Sequence, residues 1–109
     1  MIEFEFEADL YRLSDEQATS LAESLRNYAK LTFPHDVALG SQLSGNTDWT
    51  DGALAVADFT EELLVGNLEG PLPLEGKAAE STFWALRLME GLDGPMAALR
   101  DALGQQFVA

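Results

Sequence analysis

The chain has 109 residues, with 19 acidic side chains against 6 basic ones and a formal net charge of −13. This length is close to the commonest domain size and predicts a single domain over residues 1–109. A hydrophobic share of 47% supplies one core and disfavours disorder. The negative field repels nucleic-acid backbones and anionic membrane surfaces, so we expect neither as a partner.

The chain contains no cysteine, which excludes disulfides, thiolate nucleophiles and zinc–sulfur sites. The first residues lack the basic and apolar regions of a signal peptide, and no apolar run is long enough to span a bilayer. A cytoplasmic location is therefore the expectation. Abundant Ala, Gly and Leu beside few Lys, Ile and Asn is typical of GC-rich bacterial genomes.

Apolar and acidic residues alternate from Ile2 to Ala8, and this period predicts a half-buried strand over 2–10. Ser14-Asp15-Glu16-Gln17 then forms a capping box, in which the Ser14 hydroxyl and the Gln17 side chain satisfy each other's backbone amides. A helix over 15–31 is predicted after it. Phe33-Pro34 is expected to end that helix, because proline disfavours helix at the preceding residue.

Turn-forming residues such as Gly40 and Gly45 predict a loop over 34–50, with a short strand or helical turn near 37–43. A second helix is predicted from Asp48 or Thr50 to Leu64. Its acidic side chains fall opposite one apolar face, formed by Ala53, Val56, Phe59, Thr60 and Leu63. A strand over 53–60 is the alternative, and the two glutamates that follow favour the helix.

Two glycines and two prolines break the chain after this helix and predict a short edge strand over 71–75. A third helix over 77–90, apolar around most of its circumference, and a fourth from Pro95 to Leu103 complete the prediction. The fold class is therefore α+β and mostly helical, with about four helices and one or two short strands, 2–10 and 71–75.

A weak internal repeat appears when the sequence is shifted by 61 residues. The identical pairs are Leu13 and Leu74, Ala18 and Ala79, Ser20 and Ser81, Leu25 and Leu86, and Arg26 and Arg87. One interpretation is a β-α-α duplication whose two strands pair. The alternative is that any two amphipathic helices can be brought into register in this way.

Residues with catalytic chemistry are scarce. His35, beside Asp36, is the single histidine, and no nucleophile signature accompanies it. The prediction is a protein without enzymatic activity, catalytic residues, metal or cofactor. The alternative is a small-ligand-binding or enzymatic domain that uses the 33–52 loop.

The distribution of charge is more informative than any motif. Residues 31–76 contain eight acidic side chains and no lysine or arginine. Carboxylates in such a segment are either solvated or met by the cations of a partner, and interface hot spots favour tryptophan. The candidate partner-binding residues are Asp48, Trp49, Asp51, Asp58, Glu61, Glu62 and Trp84.

These observations favour a small acidic, non-catalytic protein-binding module that meets a basic protein. Its most concrete form is an immunity or antitoxin-type inhibitor, because a nuclease-type toxin must be basic to hold its substrate. A structural or accessory domain of unknown function is the second possibility. The third is the small-ligand-binding or enzymatic domain that uses the 33–52 loop, and a homodimer is an assembly whose shared interface could create its site.

Overall fold

The computed structural model describes the backbone of residues 1–43 and 48–107 and the side chains of residues 1–32 and 51–107. Along this part of the chain the elements are β1 (Ile2–Phe6), β2 (Asp9–Leu13), α1 (Asp15–Leu43), α2 (Asp48–Leu64), β3 (Leu72–Pro73), α3 (Gly76–Arg87) and α4 (Gly94–Phe107). The predicted mostly helical α+β class is confirmed.

The predicted strand over 2–10 is in fact interrupted by a tight turn. Glu7 and Ala8 have φ values of 52° and 68°, the left-handed conformation that a type I′ hairpin turn requires at both central positions. The chain therefore reverses, and β1 pairs antiparallel with β2, with Ile2 opposite Leu13. Neither turn residue is a glycine or an asparagine, so the usual sequence signal of this turn is missing.

The predicted second strand is confirmed as a short edge strand. β3 pairs parallel with β1, with Leu72 opposite Phe4, and the sheet order is β2-β1-β3. The Leu74 amide donates to the Glu5 carbonyl oxygen at 2.8 Å and extends the pairing. The free edge of the sheet on this side therefore belongs to the proline-containing segment.

Helix α1 continues to Leu43, well beyond the predicted end at Phe33-Pro34. The backbone around Pro34 and His35 is helical, so the prediction of a loop from residue 34 is wrong. Proline lacks an amide hydrogen and weakens a helix, but its fixed φ is helical. α1 and α2 form the most extensive helix pair, and such tertiary packing routinely overrides a local breaking signal.

The buried apolar side chains form one cluster between the sheet and the helices. The predicted alternation in β1 is confirmed, since Phe4 is fully buried and Glu5 is exposed. Helix α3 contacts α1, α2 and α4. This central position accounts for the buried apolar residues Ala79, Phe83, Ala85 and Leu86, whereas Trp84 on the other side of α3 is exposed.

The last two helices differ from prediction at their ends. α3 stops at Arg87, where the Leu88 amide caps the final turn, and α4 runs four residues beyond the predicted Leu103 to Phe107. The Phe107 ring lies 6.2 Å from the Phe83 ring, centroid to centroid. That contact holds the C-terminal turn of α4 against α3.

The two halves of the proposed repeat are in contact at equivalent positions. The buried Ser24 hydroxyl donates to the Ala85 carbonyl oxygen at 2.7 Å, and these residues are 61 apart, the same shift as the repeat. The two predicted strands, 2–10 and 71–75, do pair, because the β1 part of the first lies parallel to β3. β2, which the shift of 61 residues aligns with β3, lies on the other side of β1. The duplication itself stays a prediction.

None of the helices in the described ranges combines the length and the apolar character needed to cross a bilayer.

Helix α2 approaches α3 closely at Gly52. A Cβ atom at this position would lie 3.0 Å from the Lys77 carbonyl oxygen and 3.2 Å from the Ser81 hydroxyl oxygen. Backbone cannot move aside as a flexible side chain can. The spacing of the two helices therefore favours glycine here, although glycine weakens the helix that contains it.

We predict that Gly52→Ala lowers the free energy of unfolding by about 1 kcal/mol, because crowding against α3 outweighs the gain in helix propensity. Urea denaturation measures the change. Ala55→Gly, on an exposed position of the same helix, is the control and should cost about 0.5–1 kcal/mol through propensity alone. A more stable Gly52→Ala variant would contradict the close approach.

Candidate functional site

The buried face of α2 is built from small side chains. Ala53, Val56, Ala57 and Thr60 are all buried, and the Thr60 hydroxyl donates to the Val56 carbonyl oxygen at 2.7 Å. This face packs against α1 and α3. Leu54, Leu63 and Leu64 flank this face and pack partly against the core, and the side chains on the opposite side of the helix are exposed.

One strip of the outward surface of α2 is acidic. Asp51, Asp58 and Glu62 are exposed and spaced seven and four residues apart, which places them along one side of the helix. We call these three residues the acidic stripe. Three of the predicted partner-binding residues therefore lie together, and Glu61 is exposed on the same helix.

Arg26 of α1 supplies a cation that the 31–76 segment lacks. Its Nη2 atom lies 2.9 Å from Asp58 Oδ1 and 2.8 Å from Glu61 Oε1. The hydrogen bond to Glu61, and to a smaller extent the one to Asp58, raises the pKa of Arg26 above its ordinary value. The expectation that these carboxylates meet no cation of their own chain is wrong for Asp58 and Glu61, whose role in binding a partner stays a prediction.

The C-terminal end of α2 adds negative potential. Gly66 has a φ of 82°. Its amide donates to the Leu63 carbonyl oxygen at 3.2 Å, and the Asn67 amide donates to the Glu62 carbonyl oxygen at 2.9 Å, which is the pattern of a Schellman motif. The last turn contains no basic residue. Since the helix dipole is negative here, a cation from outside would be favoured at this end.

An apolar groove lies beside the acidic stripe, between α2 and the segment that leads into β3. It has a volume of about 400 Å³, and among the described residues Glu69 is the one charged residue in its lining. Its lining includes the side chains of Phe59, Leu63, Leu68, Leu72 and Ala78. We call this feature the apolar groove.

Several large side chains in and beside the apolar groove are exposed to an unusual degree. Phe59 is 48% exposed, Leu68 is 40% exposed, and Val65, just after the helix, is 69% exposed. The sequence had placed Phe59 and Leu63 on the core-facing side of α2. Leu63 does pack against the core in part, whereas Phe59 lies at its margin, so the apolar face of α2 is wider than the core covers.

The remaining predicted site residues lie elsewhere. Asp48 and Trp49 are in the first turn of α2, and their side chains fall outside the described residues, as does the side chain of His35. Trp84 on α3 is 37% exposed and does not line the apolar groove. Its ring packs against Phe83 at 5.0 Å, and the Arg87 guanidinium lies 5.7 Å from the Trp84 ring centroid.

A second hollow, more polar than the groove, lies at the end of the sheet near the start of α3. Its lining includes Glu5, Glu7 and Glu75. Among the side chains that the structure describes, no group of three or more histidines and carboxylates is arranged to hold a metal ion. Tyr11 lies on β2. Burial is the larger cause, and the negative charges of Asp9 and Glu7 are the smaller ones, by which the pKa of its hydroxyl is raised.

Comparison of the chain with protein-family models, with curated proteins and with solved structures finds no match. The function is therefore inferred from the charges, exposed side chains and groove of the molecule itself.

We predict that Arg26→Gln lowers the free energy of unfolding by less than about 1 kcal/mol at low salt, because it removes an exposed ion-pair network. The loss should shrink at high salt, where such charges are screened. Urea denaturation at both ionic strengths is the measurement.

Lys30→Gln is the matched control for this experiment, since it removes one positive charge from an exposed position one turn further along α1. A purely global charge effect would destabilise both variants equally. That outcome, or a loss at Arg26 that does not respond to salt, would contradict a specific role for the network.

Proposed function

We propose that this chain is a non-catalytic module that binds a basic protein partner through α2 and the acidic residues around it. The observation that carries the proposal is that residues 31–76 contain eight acidic side chains and no lysine or arginine. In the described part of that segment, the acidic stripe is exposed on one helix, with Arg26 as a cation from α1.

The electrostatic arrangement supports a positively charged partner. Glu62 and Glu69 lie at the C-terminal end of α2 and just beyond it, where the helix dipole is also negative. Charges of one sign on one surface accelerate encounter with an oppositely charged protein and suppress binding of wrong partners. An acidic surface with this organisation suits an inhibitor that covers the substrate-binding face of a basic toxin.

The same charge weighs against self-association as the main role. Each chain carries a formal charge of −13, so two copies repel each other at ordinary ionic strength. A homodimer would have to bury a large apolar surface to offset that repulsion. The basic partner gains from the same charge that the dimer must overcome.

We predict that Glu62→Gln with Glu69→Gln weakens binding of a basic partner by roughly 3- to 10-fold, mainly through slower association, because exposed interface charges act on the rate of encounter. The tagged chain serves as bait in lysate of its native host at low and high salt. The captured protein is then identified, purified and titrated against each variant.

The matched control is Glu16→Gln with Glu23→Gln, which changes the charge equally at two exposed positions of α1. The proposal expects a basic protein that is released at high salt and binds the control variant as tightly as the unaltered chain. Capture of no protein at either ionic strength, or equal weakening by both variants, would overturn it.

A further inference from the structure

We infer that the apolar groove binds an amphipathic basic helix of the protein partner, with apolar side chains in the groove and basic ones over the acidic residues beside it. This inference rests on the proposed function and specifies how the partner is recognised. It starts from the fact that the most exposed apolar side chains of α2 and the residues after it are next to carboxylates. Within the described residues, Phe59 and Glu62 are three positions apart on α2, and Glu69 lines the groove.

The size and composition of the groove suit side-chain anchors. A volume of about 400 Å³ falls in the range of protein pockets that hold a compact apolar group. Its lining is apolar apart from Glu69, so a polar or anionic occupant would lose its hydration without hydrogen-bond compensation. An apolar side chain on a positively charged segment suits the site, because the side chain matches the apolar lining and the positive charges match the surrounding carboxylates.

The edge of the sheet beside the groove cannot accept an added strand in the usual way. Leu72 and Leu74 turn their backbone groups toward β1, as the bond from the Leu74 amide to Glu5 O indicates. The outward-facing amide positions of this edge therefore belong to Pro71 and Pro73, which have no amide hydrogen. A partner segment that forms its own backbone hydrogen bonds avoids this obstacle, and a helix does so.

Two other occupants fit the observations less well. A proline-rich segment is normally recognised by several aromatic rings, whereas the described part of this lining contains one, that of Phe59. A second copy of the chain would bring its own net charge of −13 to a groove already beside carboxylates. Electrostatic complementarity therefore favours the basic helix over a second copy, and the lining of the groove favours it over a proline-rich segment.

The test uses a synthetic peptide of about 18 leucine and lysine residues, long enough to form a helix, with leucines at helical spacing along one face. A scrambled peptide of the same composition and a peptide with glutamate in place of lysine are the peptide controls. Calorimetry at low salt measures the affinity of each peptide for the full chain. We expect the amphipathic basic peptide to bind at least tenfold more tightly than either control.

The matched variants are Phe59→Ala with Leu68→Ala in the groove, and Leu31→Ala with Leu88→Ala at exposed apolar positions elsewhere. Loss of anchoring contacts in the groove should weaken the amphipathic peptide at least tenfold, whereas the second pair should change its affinity less than twofold. Circular dichroism and thermal unfolding verify that each variant is folded.

The outcomes separate this inference from the proposed function. If the scrambled peptide binds equally well and Glu62→Gln with Glu69→Gln weakens both peptides, the groove inference fails and the acidic binding surface stands. If neither basic peptide binds at low salt, the groove inference also fails, and the captured native partner decides the proposed function separately. A dimer in sedimentation analysis that Phe59→Ala dissociates would assign the groove to a second copy and overturn the inference.

Discussion

The close packing of α2 against α3 is the constraint on which the rest of the surface depends. Gly52 allows the two helices to approach, and the small residues of the buried face let α2 lie deep between α1 and α3. Leu54, Leu63 and Leu64 pack partly against the core, whereas Phe59 and the described carboxylates of α2 are left exposed as neighbours.

That arrangement joins two features with different physical roles. The acidic stripe and the negative end of α2 act over distance and govern how quickly a basic protein arrives. The apolar groove acts at contact and determines how long the partner stays, since truncation of buried anchors acts mainly on dissociation. Arg26 neutralises part of the charge beside Asp58 and Glu61, so the strongest remaining negative potential is expected near Glu62 and Glu69.

Much of the fold could be predicted because local patterns agreed with the final packing. The alternation in β1, the capping box of α1 and the amphipathic pattern of α2 all depend on residues close together in sequence. The Ser14 and Gln17 groups of the capping box bond as expected, at 3.1 Å and 2.9 Å. The turn at Glu7 and Ala8 could not be predicted, because those residues adopt a left-handed conformation without the side chains that favour it.

The candidate site was only partly predictable, for reasons of distance along the chain. The excess of acidic residues over 31–76 is a property of the sequence, but the reach of Arg26 to Asp58, 32 residues away, depends on how α1 packs against α2. Helical periodicity assigned Phe59 to the core, and periodicity cannot tell how wide a face the neighbouring helices will cover. The groove also needs the segment before β3, whose position follows from its pairing with β1.

Hydrogen–deuterium exchange of the chain, alone and with its purified basic partner, tests the central claim most directly. Bound partner should slow exchange in the last two turns of α2 and in residues 65–74, where amides lie under the proposed interface. Exchange along the first half of α1 and in β2 should be unchanged. Protection confined to those latter elements, or to α4, would contradict the account and place the interface on another face of the molecule.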